Sequence, residues 1–220
     1  MLSNKQFKYY AKAAVMVITV AFFLTVKDAF AQNSSFSSFK RLSCAEKRWV
    51  LFHPCVAGEA HKISLEALEI SKSIKKDTLL DGDENGGQLD AFRHAYWMAR
   101  LTQEIGWRRA ASLGKAHEKG NYRMYRKGRL EEGTLPDEAS GRMDFLNNDV
   151  GIETGKRFPE VLPEFLVESI IQMILEGKLY IISKDAQGNF LNCQGNIISK
   201  TEMQGKWEND KCIIPSVKTH

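Results

Sequence analysis

Between Gln88 and Ile105 the residues Ala91, His94, Met98, Leu101 and Ile105 recur in steps of three and four, and Gly106 closes the run. That period puts all five side chains on one face of an α-helix and excludes a strand, whose faces alternate every two residues. The same period appears on either side. Ile63, Ala67, Ile70 and Ile74 predict an amphipathic helix over 59–76, and "DTLLDGDENGG" (77–87) breaks it with glycine and acid. A further helix is expected from about Trp107 to Glu118, with Gly120-Asn121 as its exit. Residues 121–140 read as a long surface loop, another helix starts at about Gly141, and Pro163 opens a last one that Gly177 closes. Beyond it the period falls to two, so "KLYIISKDAQGNFLNCQGNII" predicts two strands around the turn 185–189. The expected fold class is mainly α: a helical domain of about five helices with a short C-terminal β-hairpin.

The expected organisation is a signal peptide (1–31), a flexible serine-rich leader (32–43), a helical domain (44–176) and a β-hairpin tail (177–220). The first segment carries Lys5, Lys8 and Lys12, then an apolar run from Ala13 to Val26, then Ala29-Phe30-Ala31. This is the order of a secretory signal, and the run of 14 residues is shorter than the roughly 20 needed to span a bilayer. The expected location is therefore secreted or periplasmic, with no stable transmembrane anchor after cleavage. Without those 31 residues the chain loses four lysines and Asp28, leaving 27 basic against 26 acidic side chains. So small an excess gives no reason to expect a nucleic-acid partner. Four cysteines in two close pairs predict Cys44–Cys55 and Cys193–Cys212 disulfides in an oxidising compartment, although four cysteines allow three pairings.

The chemistry-bearing residues cluster on three expected helices. Positions four apart share a helix face, so Asp90 can reach the ring of His94 while Arg93 sits over Trp97. A carboxylate behind an imidazole fixes its tautomer and raises its basicity, which suits a metal ligand or a general base. His117-Glu118 arrives near the end of the next helix, and an antiparallel hairpin of the two helices lets His94 and His117 share one mouth. Asp144, Asn147 and Asn148 stand on the third. Asp81, Asp83 and Asn85 have the spacing of a calcium loop, but Phe92 stands where that loop needs a bidentate acid, so an acidic turn capping the next helix is expected instead. Trp49, Trp97 and Trp107 read as core anchors. The order of histidine, His-Glu and aspartate on successive helices resembles the layout of helical metal-dependent phosphohydrolases. His-Glu stands here where those enzymes carry His-Asp, so the likeness is one of layout and not of membership.

Three motifs in order, "DAFRHAYW" (90–97), "AHE" (116–118) and "MDFLNNDVG" (143–151), resemble an uncharacterised bacterial domain family over roughly residues 46–160. The resemblance implies a mainly helical domain found in exported proteins and at the ends of some large toxin-like proteins. It maps the motif onto Asp90, Arg93, His94, Trp97, His117, Glu118, Asp144, Asn147, Asn148 and Gly151. Many relatives carry a histidine before the paired asparagines, where this chain has Leu146.

These readings lead to an expected exported hydrolase acting on a phosphoester or envelope ester. His94, His117, Glu118 and Asp144 are its candidate catalytic residues, and Arg93, Asn147 and Asn148 its substrate-binding ones. Asp90 and Trp97 stand behind them, and one divalent metal ion would be held by His94, His117 and Asp144. The alternative is a non-catalytic exported binding module whose polar residues form a buried network that fixes helix packing.

Overall fold

A computed structural model describes residues 39–77, 79–130 and 134–217. The expected signal peptide and most of the expected leader lie outside the described residues. The chain divides into two units, Met1–Leu42 and Ser43–His220, and the elements named below lie in the second.

Six helices of nine or more residues are described: α1 (Cys44–Phe52), α2 (Pro54–Ile74), α3 (Gln88–Ile105), α4 (Trp107–Tyr125), α5 (Glu138–Arg157) and α6 (Pro163–Leu175). β1 (Tyr180–Ile182), the short α7 (Lys200–Met203) and β2 (Ile213–Pro215) follow. The fold is mainly helical with a small antiparallel sheet near its C-terminus.

α3 is the central element. All five residues of its predicted stripe are buried, and so are Leu89, Phe92, Ala95, Tyr96 and Ala99 on other faces. Helices pack around it. On one side Phe92 and Tyr96 meet Leu166, Ile170 and Ile174 of α6; on the other Met98, Leu101 and Ile105 meet Trp49, Ile63 and Leu113. Each of the larger fully buried side chains contributes about 1.5–3 kcal/mol through removal of apolar surface from water. Gly106, at φ +83°, stops the helix in a conformation that L side chains rarely adopt.

The contact that matters most for the site is between α3 and α5. A Cβ placed on Gly151 would lie 2.3 Å from the Ala95 carbonyl oxygen, and one on Gly155 would lie 2.5 Å from that of Ala99. Only glycine permits this approach of backbone to backbone. Ala95 faces Gly151 and Ala99 faces Gly155, so the two helices run in the same direction, with His94 opposite the Asp144–Asn148 turn.

Several expectations are corrected. α4 does not exit at Gly120-Asn121 but continues to Tyr125, because Gly120 packs against Ser43 and the buried Asn121 donates to Glu118 Oε2 at 3.3 Å. α5 starts at Glu138, with Asp137 accepting the Ser140 N–H at 2.9 Å as its N-cap. The first strand does not pair across the 185–189 turn: Tyr180, Ile181 and Ile182 pair with Pro215, Ile214 and Ile213, while the turn itself is closed by a single Lys184–Phe190 bridge. Trp107 is not a core anchor. It is 45% exposed, with Arg108 and Lys156 over its ring at 5.0 and 4.7 Å.

The Cys193–Cys212 disulfide is formed, but Cys44 and Cys55 are free, exposed thiols. The reason is helical. Cys44 opens α1 and Cys55 lies beyond its far end, so the rise of about 1.5 Å per residue separates them by more than the ~7 Å Cα reach of a disulfide.

Candidate functional site

The acidic loop before α3 sets the position of the first functional turn. Asp81 accepts the N–H groups of Gln88 and Leu89 at 2.8 and 3.3 Å, so its carboxylate satisfies donors that the helix start leaves open. Asp83 accepts from Asn85 N–H at 3.0 Å and pairs with Lys184. These acids therefore serve the loop and the helix end, as the capping reading of the sequence expects. Gly86, at φ +85° and against Ile182, turns its N–H onto Asp90 Oδ2 at 2.8 Å, while Arg93 holds Asp90 Oδ1 at 2.5 Å.

His94 stands one turn further on, 2% exposed. Its Nδ1 is 3.3 Å from Asn148 Oδ1, and its Nε2 is 3.3 Å from Asp144 Oδ1 and 3.6 Å from Asp90 Oδ1. Two carboxylates so close would ordinarily favour an imidazolium. Burial is the larger effect here: together with the charges of Arg93 and His117 it pushes the ring well below its usual titration range, against the Asn148 contact. An amide oxygen only accepts, so on a neutral ring the proton that meets Asn148 Oδ1 is on Nδ1, and the Nε2 lone pair then faces the two carboxylate oxygens.

Acceptors turned towards one another repel unless a proton or a cation lies among them. A divalent ion about 2.1 Å from each ligand atom, in tetrahedral array, spaces those atoms roughly 3.4 Å apart. The two Nε2–carboxylate distances bracket that value, and the chosen ligand atoms of Asp90, His94 and Asp144 all lie within 4.8 Å of one another. Among the described residues this is the group of His, Cys, Asp and Glu side chains arranged to hold an ion.

Residues 47–178 match the family described as Domain of unknown function (DUF6973), which is more than half of the 220-residue chain. The chain belongs to the DUF6973 family. No curated protein and no solved structure matches it. The DUF6973 region holds Asp90, Arg93, His94, Asp144 and Asn148, the residues that form the convergent centre, and it ends before β1.

The other expected site residues of this DUF6973 chain are placed around that centre or away from it. His117, an expected metal ligand, lies beside the three convergent groups: its ring centroid is 6.2 Å from that of His94 and 5.5 Å, edge-on, from that of Trp97. Its Nδ1 is 3.1 Å from Glu46 Oε1. Burial would raise the Glu46 carboxyl, but the hydrogen bond and charge of His117 and the bonds from Ser43 outweigh it and hold Glu46 below its ordinary range. Trp97 donates to Ser64 Oγ at 2.9 Å. Glu118 is buried against Asn121 and Gly141. Asn147 is fully buried and engages the backbone of Tyr180 twice, donating to its carbonyl and accepting its N–H at 2.9 Å each, so it clamps β1 onto α5.

A cavity of about 330 Å³ opens onto the centre and is lined by Asp90, Arg93, His94 and Asp144. The C-terminal segment also lines it, through Phe190, Lys200, Lys206 and Lys211 among others. The sequence reading missed Glu46 and these lysines. For Glu46 a signal exists, the Ser43-x-x-Glu46 spacing of a capping box, which the structure forms. For the lysines there is none, because they stand about a hundred residues from Arg93.

Proposed function

We propose that this DUF6973 protein is an exported metal-dependent hydrolase, with His94, Asp90 and Asp144 as the ligands of one divalent ion and an ester, chiefly a phosphoester, as substrate. The observation that carries the reading is the convergence of His94 Nε2 with two carboxylate oxygens, at 3.3 and 3.6 Å, on the lining of a cavity. One imidazole and two carboxylates suit a first-row divalent ion such as zinc or manganese. Bound there, such an ion would supply Lewis-acid polarisation of the ester and a more acidic water.

The chain's own residues supply the rest. Asn148 fixes the His94 ring through Nδ1, and the Gly86 N–H and Arg93 hold the two oxygens of Asp90 in place, as outer partners of metal ligands do. Arg93 also lines the cavity, where its guanidinium can meet an anionic group. A metal-free scheme with His94 as general base is less well supported, because neither ring nitrogen faces the cavity free of an intramolecular contact. Export is supported by the signal-like N-terminal pattern and by the Cys193–Cys212 disulfide. Among the described residues no helix is long and apolar enough to cross a membrane.

A non-catalytic binding module is the second reading, favoured by Asn147 and Asp90, whose side chains bond backbone at Tyr180 and Gly86. Elemental analysis of the purified protein, with assays on p-nitrophenyl phosphate and p-nitrophenyl acetate, separates the two. The hydrolase reading expects a stoichiometric ion and turnover, both lost in Asp144→Asn with the circular dichroism unchanged. No ion, no uptake on incubation with zinc or manganese, and no turnover would leave the binding module.

A further inference from the structure

The two sides of the cavity differ in origin. Asp90, Arg93, His94 and Asp144 lie inside the matched DUF6973 region, whereas Phe190, Lys200, Met203, Lys206 and Lys211 lie beyond its end at residue 178. The second side is not a loose tail. The Cys193–Cys212 bond closes it into a loop. Tyr125 Oη donates to the Gly205 carbonyl at 3.0 Å, and the Glu138 N–H donates to the Trp207 carbonyl at 2.9 Å. The Trp207 ring packs against Tyr122 and Tyr125, with centroids 4.8 and 5.1 Å away. Next to the disulfide, Lys211 forms a buried pair with Asp137 at 2.5 Å and sits 3.8 Å over the Phe190 ring. Ordering some twenty residues costs conformational entropy, and these anchors offset that cost and fix a wall in place.

What that wall presents is charge. The lining carries four cations (Arg93, Lys200, Lys206, Lys211) against four carboxylates (Glu84, Asp90, Asp137, Asp144). Lys211 is committed to Asp137 and Arg93 to Asp90. Lys200 and Lys206 are exposed and line the cavity, with the Glu202 carboxylate near enough to Lys206 to feel its charge. A divalent ion at His94 would leave the lining with two positive charges in excess, which selects an anion.

Resting on the hydrolase reading of this same cavity, we infer that the disulfide-closed segment Cys193–Cys212 is its substrate-selecting wall. Lys200 and Lys206, which line the same cavity as Arg93, receive the phosphate group of a phosphoester. The matched region supplies the reacting centre and the following segment supplies recognition. An ammonium is a compact point charge suited to a phosphate oxygen, and its attraction across a solvated cavity is weakened by salt.

The test is calorimetric titration of the full oxidised protein with inorganic phosphate, with and without added zinc. The expected result is binding by the wild type that weakens roughly tenfold in the Lys200→Gln/Lys206→Gln double variant, and weakens further at high salt. Lys156→Gln, a change on α5 outside the cavity lining, is expected to bind as the wild type does. Both lysines are exposed, so the double variant keeps its fold, which circular dichroism checks. Equal affinity in the double variant and the wild type, or no phosphate binding by the wild type in either condition, overturns the inference. The two proposals fail separately. Phosphate binding through the lysines without turnover on any ester removes the hydrolase and keeps the wall, whereas turnover and phosphate affinity both untouched by the double variant do the reverse.

Discussion

Replacing Gly151 by alanine tests how the site is assembled. The new Cβ would sit 2.3 Å from the Ala95 carbonyl oxygen and 2.9 Å from the Ala95 Cα, against the 3.4 Å at which ordinary contact begins. The obstructing atoms are backbone on both sides, so α3 and α5 must separate by ~1 Å. Overpacking of this kind costs about 2–3 kcal/mol, and the better helix propensity of alanine returns about 1 kcal/mol. A net loss of about 1–2 kcal/mol follows, or roughly 2–8 °C in Tm for a domain of this size. Gly58, inside α2, has nothing within 4 Å of its would-be Cβ, so Gly58→Ala should instead gain about 0.5–1 kcal/mol. Urea unfolding of both variants followed by circular dichroism measures the pair. The same separation would draw His94 away from Asn148 and Asp144, so Gly151→Ala should also weaken zinc binding. Two variants of equal or raised stability would refute the close-approach argument.

Other expectations follow from single contacts. Asn147→Ala leaves the Tyr180 N–H and carbonyl without their partner and should cost about 2–3 kcal/mol in urea unfolding, while metal content stays unchanged. A loss of ion with no loss of stability would contradict its role as a clamp. Glu46 has a depressed folded pKa, so its contribution is complete above the ordinary carboxyl value of 4.5 and is lost as pH falls through the folded value. Glu46→Gln should therefore flatten the fall of unfolding free energy on acidification below that pH, and an unchanged slope would remove the Glu46–His117 contact from the account. Alkylation of the native protein followed by peptide mass mapping should label Cys44 and Cys55 and recover Cys193 joined to Cys212; a Cys44–Cys55 peptide would contradict the observed pairing. Removing the Cys193–Cys212 bond, which closes residues 19 apart in sequence, should cost about 3 kcal/mol by loop entropy, read as a fall in the urea midpoint.

Much of this was legible in the sequence because helical period is a local property. The stripe from Ala91 to Ile105 is buried as its spacing requires, Gly106 stops α3, Pro163 opens α6, and Gly177 follows that helix at φ +74°. The same arithmetic placed Asp90 beside His94 and Asp144 beside Asn148. What was not legible is the register between helices, since Gly151 and Gly155 reveal their purpose only once Ala95 and Ala99 face them. His117 stands beside the ligands and not among them, with its Nδ1 against Glu46 of α1, a contact between residues 71 apart that no local spacing announces. Gly120 would end most helices, yet here it makes room for Ser43 and the helix runs on. The pairing of β1 with β2 spans some thirty residues, and nothing in the alternation of 178–198 points to a partner so far away.

The claim on which the rest depends is that a cation belongs among Asp90, His94 and Asp144. An anomalous difference map at the zinc edge, from crystals of the zinc-loaded protein, tests it most directly. The predicted result is one peak about 2.1 Å from His94 Nε2 and from one oxygen of each carboxylate. A map with no peak there, or with its peak between His117 and Glu46, contradicts it.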